Sequence, residues 1–283
     1  MNTGSCLINL KGKLNILTDS ERKVAEYILE HYMDVLNDTV TELAKKADVS
    51  DATVVRFCRS VGYKGYQDLK INLAQDAIAP YKHLNTSLEK DDTPERISEK
   101  VIRSEIDTLE ETLHILDWQE MEHVATAIYE AKRVVFFGMG GSALVAADAM
   151  HKFLKIGICC MIQMDTDVQS MQSSVLKKGD VAFGISHSGY NRHVIECLQN
   201  AKEGGATVIG LTTLGDSPMQ KVCDHLLATS SGRETIFKSE SVAARIAQLS
   251  VIDSLVAILS CKNYDEANDA IQKTRRATSG GKY

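Results

Sequence analysis

Two stretches of glycine and small polar residues have the composition of anion-binding loops. The first reads Gly138-Met-Gly-Gly-Ser142 and follows an apolar run at residues 134–137. The second reads Ser186-His-Ser-Gly-Tyr-Asn191 and follows an apolar run at residues 181–185. A helical pattern comes next in both places, and the free N–H groups and dipole of a helix start favour a negative charge. We therefore expect a phosphate site, although ordinary strand–helix turns capped by Ser and Asn would look similar.

These apolar runs belong to a strand–helix alternation that begins near residue 133. The candidate strands are residues 134–137, 158–163, 181–185, 207–211 and 225–228. Such alternation predicts an α/β domain, a parallel sheet with helices on both faces. Because the carboxyl ends of parallel strands share one edge, the two loops can close on one small phosphorylated ligand.

Further polar residues belong to the same predicted edge. Asp165 and Asp167 follow the second strand, where they could accept hydrogen bonds from sugar hydroxyls or simply be solvated turn carboxylates. Glu234 and Glu240 precede a long helix at about 240–260. Acidic residues near a helix start interact favourably with the helix dipole, which is sufficient to explain them without a catalytic role. His187 lies between the two loop serines. The sequence Gly138 to Ala143 also fits a G-x-G-x-x-A dinucleotide fingerprint, with Asp165 or Asp167 as ribose acceptor, which leaves a nucleotide-binding protein as an alternative.

The N-terminal part has the pattern of a helix-turn-helix. A capped amphipathic helix is predicted at residues 18–31, followed by helices at 41–47 and 51–60 around a tight turn at 48–50. Asp48 occupies the turn position most often filled by Gly, and Asp tolerates the left-handed conformation better than most residues. The second helix of this motif lies in the DNA major groove. A helical hairpin within an all-α bundle is the alternative interpretation.

The second helix supplies the candidate DNA contacts. We expect Ser50 as its N-cap and an inward face of Val54, Val55 and Cys58 or Phe57. Residues 52–66 contain three basic side chains and no carboxylate, which predicts a locally positive surface. We expect Asp51, Ala52, Thr53 and Arg56 to face outward. The predicted DNA-binding set is Ser50, Asp51, Ala52, Thr53, Arg56, Arg59 and Lys64.

Composition limits the class of protein. The chain has 283 residues, 44% hydrophobic and 25% charged, enough for two domains. A net charge of −6 does not indicate a nucleic-acid partner, so that prediction depends on the local motif. We see no signal peptide and no apolar run long enough to span a bilayer. Seven cysteines without a CxxC pair indicate a reduced, cytoplasmic protein. The histidines and cysteines show no spacing typical of metal ligands, so we expect neither a metal site nor a cofactor.

We predict four segments. Residues 1–79 form the helix-turn-helix domain, and residues 80–117 form a linker and a connecting helix at about 95–116. That helix carries an apolar stripe made by Ile97, Val101, Ile106, Leu109 and Leu113, which we assign to the core. A docking arm onto the second domain or a partner subunit is the alternative. Residues 118–265 form the α/β domain, which includes a helix at about 119–131, and residues 266–283 form a polar tail, frayed from Lys273.

The motifs Gly138-x-Gly140-x-Ser142 and Ser186-x-Ser188-Gly189-x-Asn191 resemble those of the sugar isomerase (SIS) domain. The sequence Gly62-Tyr-Lys-Gly-Tyr resembles the N-terminal module of RpiR-type transcriptional regulators, which join a helix-turn-helix to a SIS domain. The resemblance covers about residues 18–262. Stretches such as Gly140-Gly-Ser-Ala-Leu-Val145 are most similar to the MurR-like branch, which senses N-acetylmuramic acid 6-phosphate.

This resemblance implies a regulator that binds operator DNA as a homodimer or homotetramer and senses a sugar phosphate. The implied phosphate ligands are Gly140, Ser142, Ser186, His187, Ser188, Gly189 and Asn191, with Asn191 standing where the family has Thr. Gly141, Asp165, Asp167, Glu234 and Glu240 are the implied contacts of the sugar. In SIS isomerases a glutamate near the last long helix is the catalytic base. We assign that role to neither Glu234 nor Glu240, and we therefore expect no enzyme. A sugar phosphate isomerase with a helical appendage is the alternative.

Overall fold

The computed structural model describes residues 6–78, 88–232 and 242–279. These residues form two compact units, divided between the first and second of those ranges. The N-terminal unit is helical and contains α1 (Cys6–Lys13), α2 (Asp19–Val35), α3 (Val40–Lys46), α4 (Asp51–Ser60) and α5 (Tyr66–Ile78). The linker predicted to begin at residue 80 lies outside the described residues as far as residue 87.

Local capping determines where the helices of this unit begin. Thr18 and Thr39 each form a capping box, with Glu21 and Glu42 reaching back to the cap residue. Ser50 Oγ accepts from Thr53 N at 3.3 Å and starts α4 at the residue predicted. Asp48 has a φ of 54°, the only positive φ among the described non-glycine residues. The predicted left-handed turn of the helix-turn-helix is therefore confirmed.

Two assignments on α4 are wrong. Thr53 was predicted to face outward, but it is buried, and its hydroxyl lies 2.9 Å from that of Ser50. Val55 was predicted to face inward, but it is exposed beside a surface cavity of about 630 Å³ that Val40 and Lys64 also line. The inward face consists of Val54, Phe57 and Cys58 because one helix can turn only one stripe of residues toward α2 and α3.

The C-terminal unit is an α/β fold around a parallel sheet. It begins with α6 (Pro94–Ile115) and α7 (Trp118–Glu130). Strands and helices then alternate through β1 (Arg133–Gly138), α8 (Gly141–Lys155), β2 (Cys160–Ile162), α9 (Thr166–Ser174), β3 (Asp180–Ile185), α10 (Arg192–Glu203), β4 (Thr207–Thr213) and β5 (His225–Thr229). The five strands lie in the order β2-β1-β3-β4-β5, all parallel, which confirms the predicted fold class.

Of the last two described helices, the first packs against β4, β5 and α8, and the second packs against α8 and the first. They are α11 (Val242–Lys262) and α12 (Tyr264–Ser279). Residues 243–262 are long and apolar enough to cross a membrane by length and composition alone. Val251, Ile252 and Leu255 of this segment are buried in the hydrophobic core, as in the central helix of a globular domain. The segment predicted as a polar tail is helical as far as Ser279, which contradicts the fraying expected from Lys273, and Ala267 packs into that core.

The stripe predicted for the connecting helix is present, but it does not form core. Helix α6 packs on α11 through a largely polar face in which Ser104, Thr108 and Thr112 are buried. The hydroxyls of Thr108 and Thr112 bond to the helix's own carbonyls, so their burial leaves no unpaired polar group. The apolar residues of α6 are therefore left half-buried or exposed; they are Ile97, Val101, Ile102, Ile106, Leu109, Leu113 and Ile115.

Candidate functional site

Two neighbouring strands position the two predicted loops. Strands β1 and β3 pair in parallel, from Arg133 opposite Asp180 to Gly138 opposite Ile185. We call residues 138–142 the β1 loop and residues 186–191 the β3 loop. The backbone N–H of His187 donates to Ser142 Oγ at 3.3 Å, so the two loops are in direct contact. They leave the carboxyl edge of the sheet side by side and lead into α8 and α10.

The β1 loop is shaped by glycine. Gly140 is the N-cap of α8 and has a φ of 54°, a conformation that side chains rarely adopt. A Cβ on Gly138 would lie 3.0 Å from the backbone of Ser142, so the strand and helix start are close together. Among the described residues, no hydrogen bond takes up the N–H groups of Gly140 and Gly141. These donors are available to an anion.

The β3 loop is held by its own serines. Ser186 Oγ accepts from Gly189 N, and Ser188 Oγ accepts from Tyr190 N, both at 3.2 Å. A hydroxyl that accepts from the loop keeps its proton free to donate to a ligand. Asn191 Oδ1 accepts from Val194 N at 3.0 Å and is the N-cap of α10. Its amide oxygen is therefore engaged, and only its NH₂ group remains to donate.

Both loops are anchored by hydrogen bonds from residues of β4 and α9 that the sequence analysis did not identify. The carbonyl of His187 accepts from both Thr213 N and Thr213 Oγ1, at 3.0 and 2.8 Å, and from Thr212 Oγ1 at 3.2 Å. Buried Gln169 donates to the carbonyls of Gly138 and Gln163. The two threonines are the last residues of β4, and polar residues at the end of a parallel strand are a sequence signal that could have placed them near the loops. Gln169 offered none, because its role depends on α9 packing against β1.

The His187 side chain is half-buried. Burial lowers the pKa of its imidazole below the ordinary value, which keeps the ring neutral near pH 7. Neither loop contains Lys or Arg. An anion between these loops would therefore be bound by neutral N–H and O–H donors and by two helix starts.

The remaining predicted sugar contacts are less well placed. Asp165 is exposed and is the N-cap of α9, where its Oδ1 accepts from Val168 N at 3.0 Å. Asp167 is exposed in the first turn of the same helix. The structure brings neither carboxylate into a hydrogen bond with the two loops. Glu234 and Glu240 lie outside the described residues.

The candidate DNA-binding residues lie on α4 and just beyond it. Ala52, Arg56, Arg59 and Lys64 are exposed, and no described carboxylate forms an ion pair with the side chain of Arg59 or Lys64. Asp51 is also exposed, but its carboxylate accepts from Thr41 Oγ1 at 2.7 Å and ties α4 to α3. Ser50 is the N-cap of the helix, and Thr53 is buried with its hydroxyl beside that of Ser50.

Arg56 has a partner within the protein. Its Nε lies 3.6 Å from Oε1 of the buried Glu21, while the rest of its side chain is exposed. Burial alone would raise the pKa of Glu21, but hydrogen bonds from Ser60 and Thr18, together with Arg56, hold that pKa below its ordinary value. Arg56 therefore contributes to the packing of α4 on α2 as well as to the positive surface.

Comparison with known proteins assigns both units. Residues 5–80 match the model of the "Helix-turn-helix domain, rpiR family", and residues 127–258 match that of the SIS domain. An uncharacterized HTH-type transcriptional regulator of Caldanaerobacter subterraneus subsp. tengcongensis is 39% identical, over 93% of each chain. The chain belongs to the rpiR family of HTH-type transcriptional regulators. The predicted resemblance is thus confirmed, and the N-terminal unit is the DNA-binding module of a regulator.

Two further relatives extend this family assignment. The uncharacterized HTH-type regulator YbbH of Bacillus subtilis is 34% identical, over 98% of each chain. The solved structure of the Vibrio vulnificus NanR protein complexed with ManNAc-6P is 28% identical and has a TM-score of 0.61. That alignment covers 97% of this chain and 98% of NanR. The rpiR-family assignment therefore rests on relatives that match both units.

Proposed function

We propose that the SIS unit senses a phosphorylated amino sugar whose phosphate lies between the β1 and β3 loops. The contact of His187 N–H with Ser142 Oγ carries this proposal, because it brings two anion-compatible helix starts together. The NanR relative, complexed with ManNAc-6P, supports the ligand class. Within that class, N-acetylmuramic acid 6-phosphate remains the predicted effector from the MurR-like stretches.

We infer that the site recognises the sugar without converting it. The loops offer hydroxyls and backbone N–H groups, which suit a phosphate. Their one histidine, His187, has a pKa lowered by burial and is neutral near pH 7. With a helix-turn-helix in the same chain, effector binding can regulate DNA binding. An effector changes operator affinity when it binds two conformations of a regulator with different affinities. Turnover of an aldose–ketose phosphate pair by the purified protein would instead support the isomerase alternative.

Calorimetric titration of the full-length chain tests the ligand class. The panel contains ManNAc-6P, N-acetylmuramic acid 6-phosphate, glucose 6-phosphate, the unphosphorylated sugars and NAD. We expect binding of an amino-sugar phosphate and none of its unphosphorylated form, because the phosphate supplies most of the contacts. Binding of NAD without any sugar phosphate would support the nucleotide-binding alternative and contradict the proposal.

Replacing Gly189 with alanine is expected to abolish effector binding. Gly189 has a φ of 70°, and an added Cβ would collide with the Ser217 side chain and lie 2.9 Å from Thr212 Oγ1. Strain of this kind costs about 1–3 kcal/mol and would be relieved by displacing the β3 loop. The measurement is calorimetry with the effector identified above.

A matched control is available for that substitution. Gly205 also has a positive φ, 85°, but lies in the turn before β4, where a Cβ would meet nothing closer than 3.7 Å. Gly205→Ala should bear the backbone strain and still bind the effector. If both variants bind as wild type, the β3 loop is not the site.

We infer that the regulator is a two-fold dimer formed along α6. Ile102, Ile106, Leu109 and Leu113 follow the 4-3-4 spacing of a coiled-coil seam and are half-buried or exposed in the single chain. Arg103 and Glu110 flank this stripe near opposite ends, so antiparallel pairing of two copies would bring opposite charges together. A two-fold dimer would match two operator half-sites.

Ile106→Lys with Leu109→Lys should convert the dimer to monomers in sedimentation velocity and lower operator affinity. Burying two unpaired ammonium groups in an apolar seam is strongly unfavourable. Tyr264→Lys, at an exposed position at the start of α12, is the control and should leave the mass unchanged. A dimer of unchanged stability in the double variant would show that another surface holds the copies together.

A further inference from the structure

Two histidines and a carboxylate meet at the amino edge of the sheet, opposite the phosphate loops. Glu120 and His123 are one turn apart on α7, and His225 is the first residue of β5. One potential ligand atom from each of these residues lies within 4.8 Å of the other two. His225 Nδ1 is 3.2 Å from Glu120 Oε1, and His123 Nδ1 is 3.5 Å from Glu120 Oε2.

The carboxylate at the centre of this cluster is held in place by the backbone. Leu226 N donates to Glu120 Oε1 at 3.0 Å, in addition to the contact with His225. The side chains of Glu120 and His225 are 24% and 27% exposed, whereas that of His123 is 63% exposed. Two of the three groups are therefore positioned by the fold, and the third is free to rotate toward a ligand.

We propose that Glu120, His123 and His225 bind a divalent transition-metal ion, with Zn²⁺ as the fitting ion. Two imidazole nitrogens and one carboxylate oxygen form a common Zn²⁺ ligand set, which leaves a fourth position for water. Such ligands lie about 2.0–2.2 Å from the ion, so the cluster must contract slightly. Rotation of the exposed His123 ring can supply that movement.

The bound ion would connect parts of the chain that are far apart in sequence. Glu120 and His225 are separated by 105 positions, and the ion would join the first turn of α7 to β5, an edge strand of the sheet. An ion that binds only the folded chain stabilises it by mass action. This stabilisation is independent of the effector, since the cluster is at the other edge of the sheet.

Calorimetric titration of the full-length chain with ZnCl₂ tests the site after treatment with a chelator and a thiol-free reductant. We expect the wild type to bind one Zn²⁺ at this site. The variants His123→Ala, His225→Ala and Glu120→Gln should each weaken it at least about tenfold, since even residues that only support metal ligands cost this much. His151→Ala, at an exposed position on α8, is the matched control and should bind as wild type.

Exposed thiols are the competing Zn²⁺ ligands, and Co²⁺ distinguishes them. Cys159 and Cys261 are exposed, and thiolate ligands give Co²⁺ a near-ultraviolet charge-transfer band that nitrogen and oxygen ligands lack. We expect visible absorption without that band, unchanged in Cys159→Ser and Cys261→Ser. Unchanged Zn²⁺ affinity in His123→Ala, whose exposed position preserves the fold, would overturn the proposal. The proposal would also be overturned if the wild type binds no Zn²⁺; the cluster would then be only a hydrogen-bonded His–Glu pair.

Discussion

Replacing Ser186 and Ser188 with alanine is expected to remove the effector response and to leave operator binding intact. Each hydroxyl accepts a hydrogen bond from its own loop and keeps its proton to donate to the phosphate. A hydrogen bond to a charged group contributes about 1.5–3 kcal/mol, so each replacement should weaken effector binding about 10- to 100-fold. Calorimetry measures that loss, and a gel-shift titration measures the operator affinity.

Ser174→Ala is the matched control for these replacements. Ser174 is exposed at the end of α9, and among the described residues its hydroxyl bonds only to the carbonyl of Met171. It should bind the effector as wild type does. An unchanged effector affinity in the Ser186→Ala, Ser188→Ala double variant would show that the phosphate lies elsewhere, even if the protein remains a sugar-phosphate sensor.

Arg59→Ala is expected to weaken operator binding about tenfold or more while effector binding persists. Arg59 is exposed in the last turn of α4 and has no described acidic partner, so its guanidinium is available to a DNA phosphate. Loss of one phosphate contact should also lower the salt dependence of binding by about one unit of slope. Gel shifts at several salt concentrations measure both effects.

Arg56→Ala should weaken operator binding as well, but with a second consequence. Because Arg56 lies beside Glu21, its removal also weakens the packing of α4 on α2 and should lower the unfolding temperature of the N-terminal unit. Lys221→Ala, an exposed change in the SIS unit, controls for the loss of one positive charge. If Arg59→Ala and Arg56→Ala both bind like Lys221→Ala, another surface contacts the DNA.

Local sequence signals determined most of the fold. Threonine and serine caps set the starts of α2, α3 and α4, because a cap needs only its own helix turn. Short apolar runs bounded by glycine and polar residues identified every strand of the sheet. The signal was clearest for the central strands β1, β3 and β4, which are buried on both faces and therefore largely apolar. The left-handed Asp48 was equally local.

The errors came from contacts between distant segments. The α6 stripe was assigned to the core because periodicity locates an apolar face without naming its neighbour. Helix α6 packs against α11, and the side of α6 that becomes buried there is its hydroxyl-rich face, not its apolar stripe. Thr53 and Val55 exchanged roles for a related reason, because a small rotation of α4 against α2 and α3 decides which residue is buried.

The sequence alone determined two phosphate-compatible loops and a helix-turn-helix, because both depend on residue types at short spacing. Only the tertiary structure decided that the loops meet through His187 and Ser142 and that Gln169, Thr212 and Thr213 hold them. The cluster of Glu120, His123 and His225 was also beyond sequence reasoning. Its members are neighbours because β5 lies beside α7, and strand order in a parallel sheet is set by long-range packing that no local pattern encodes.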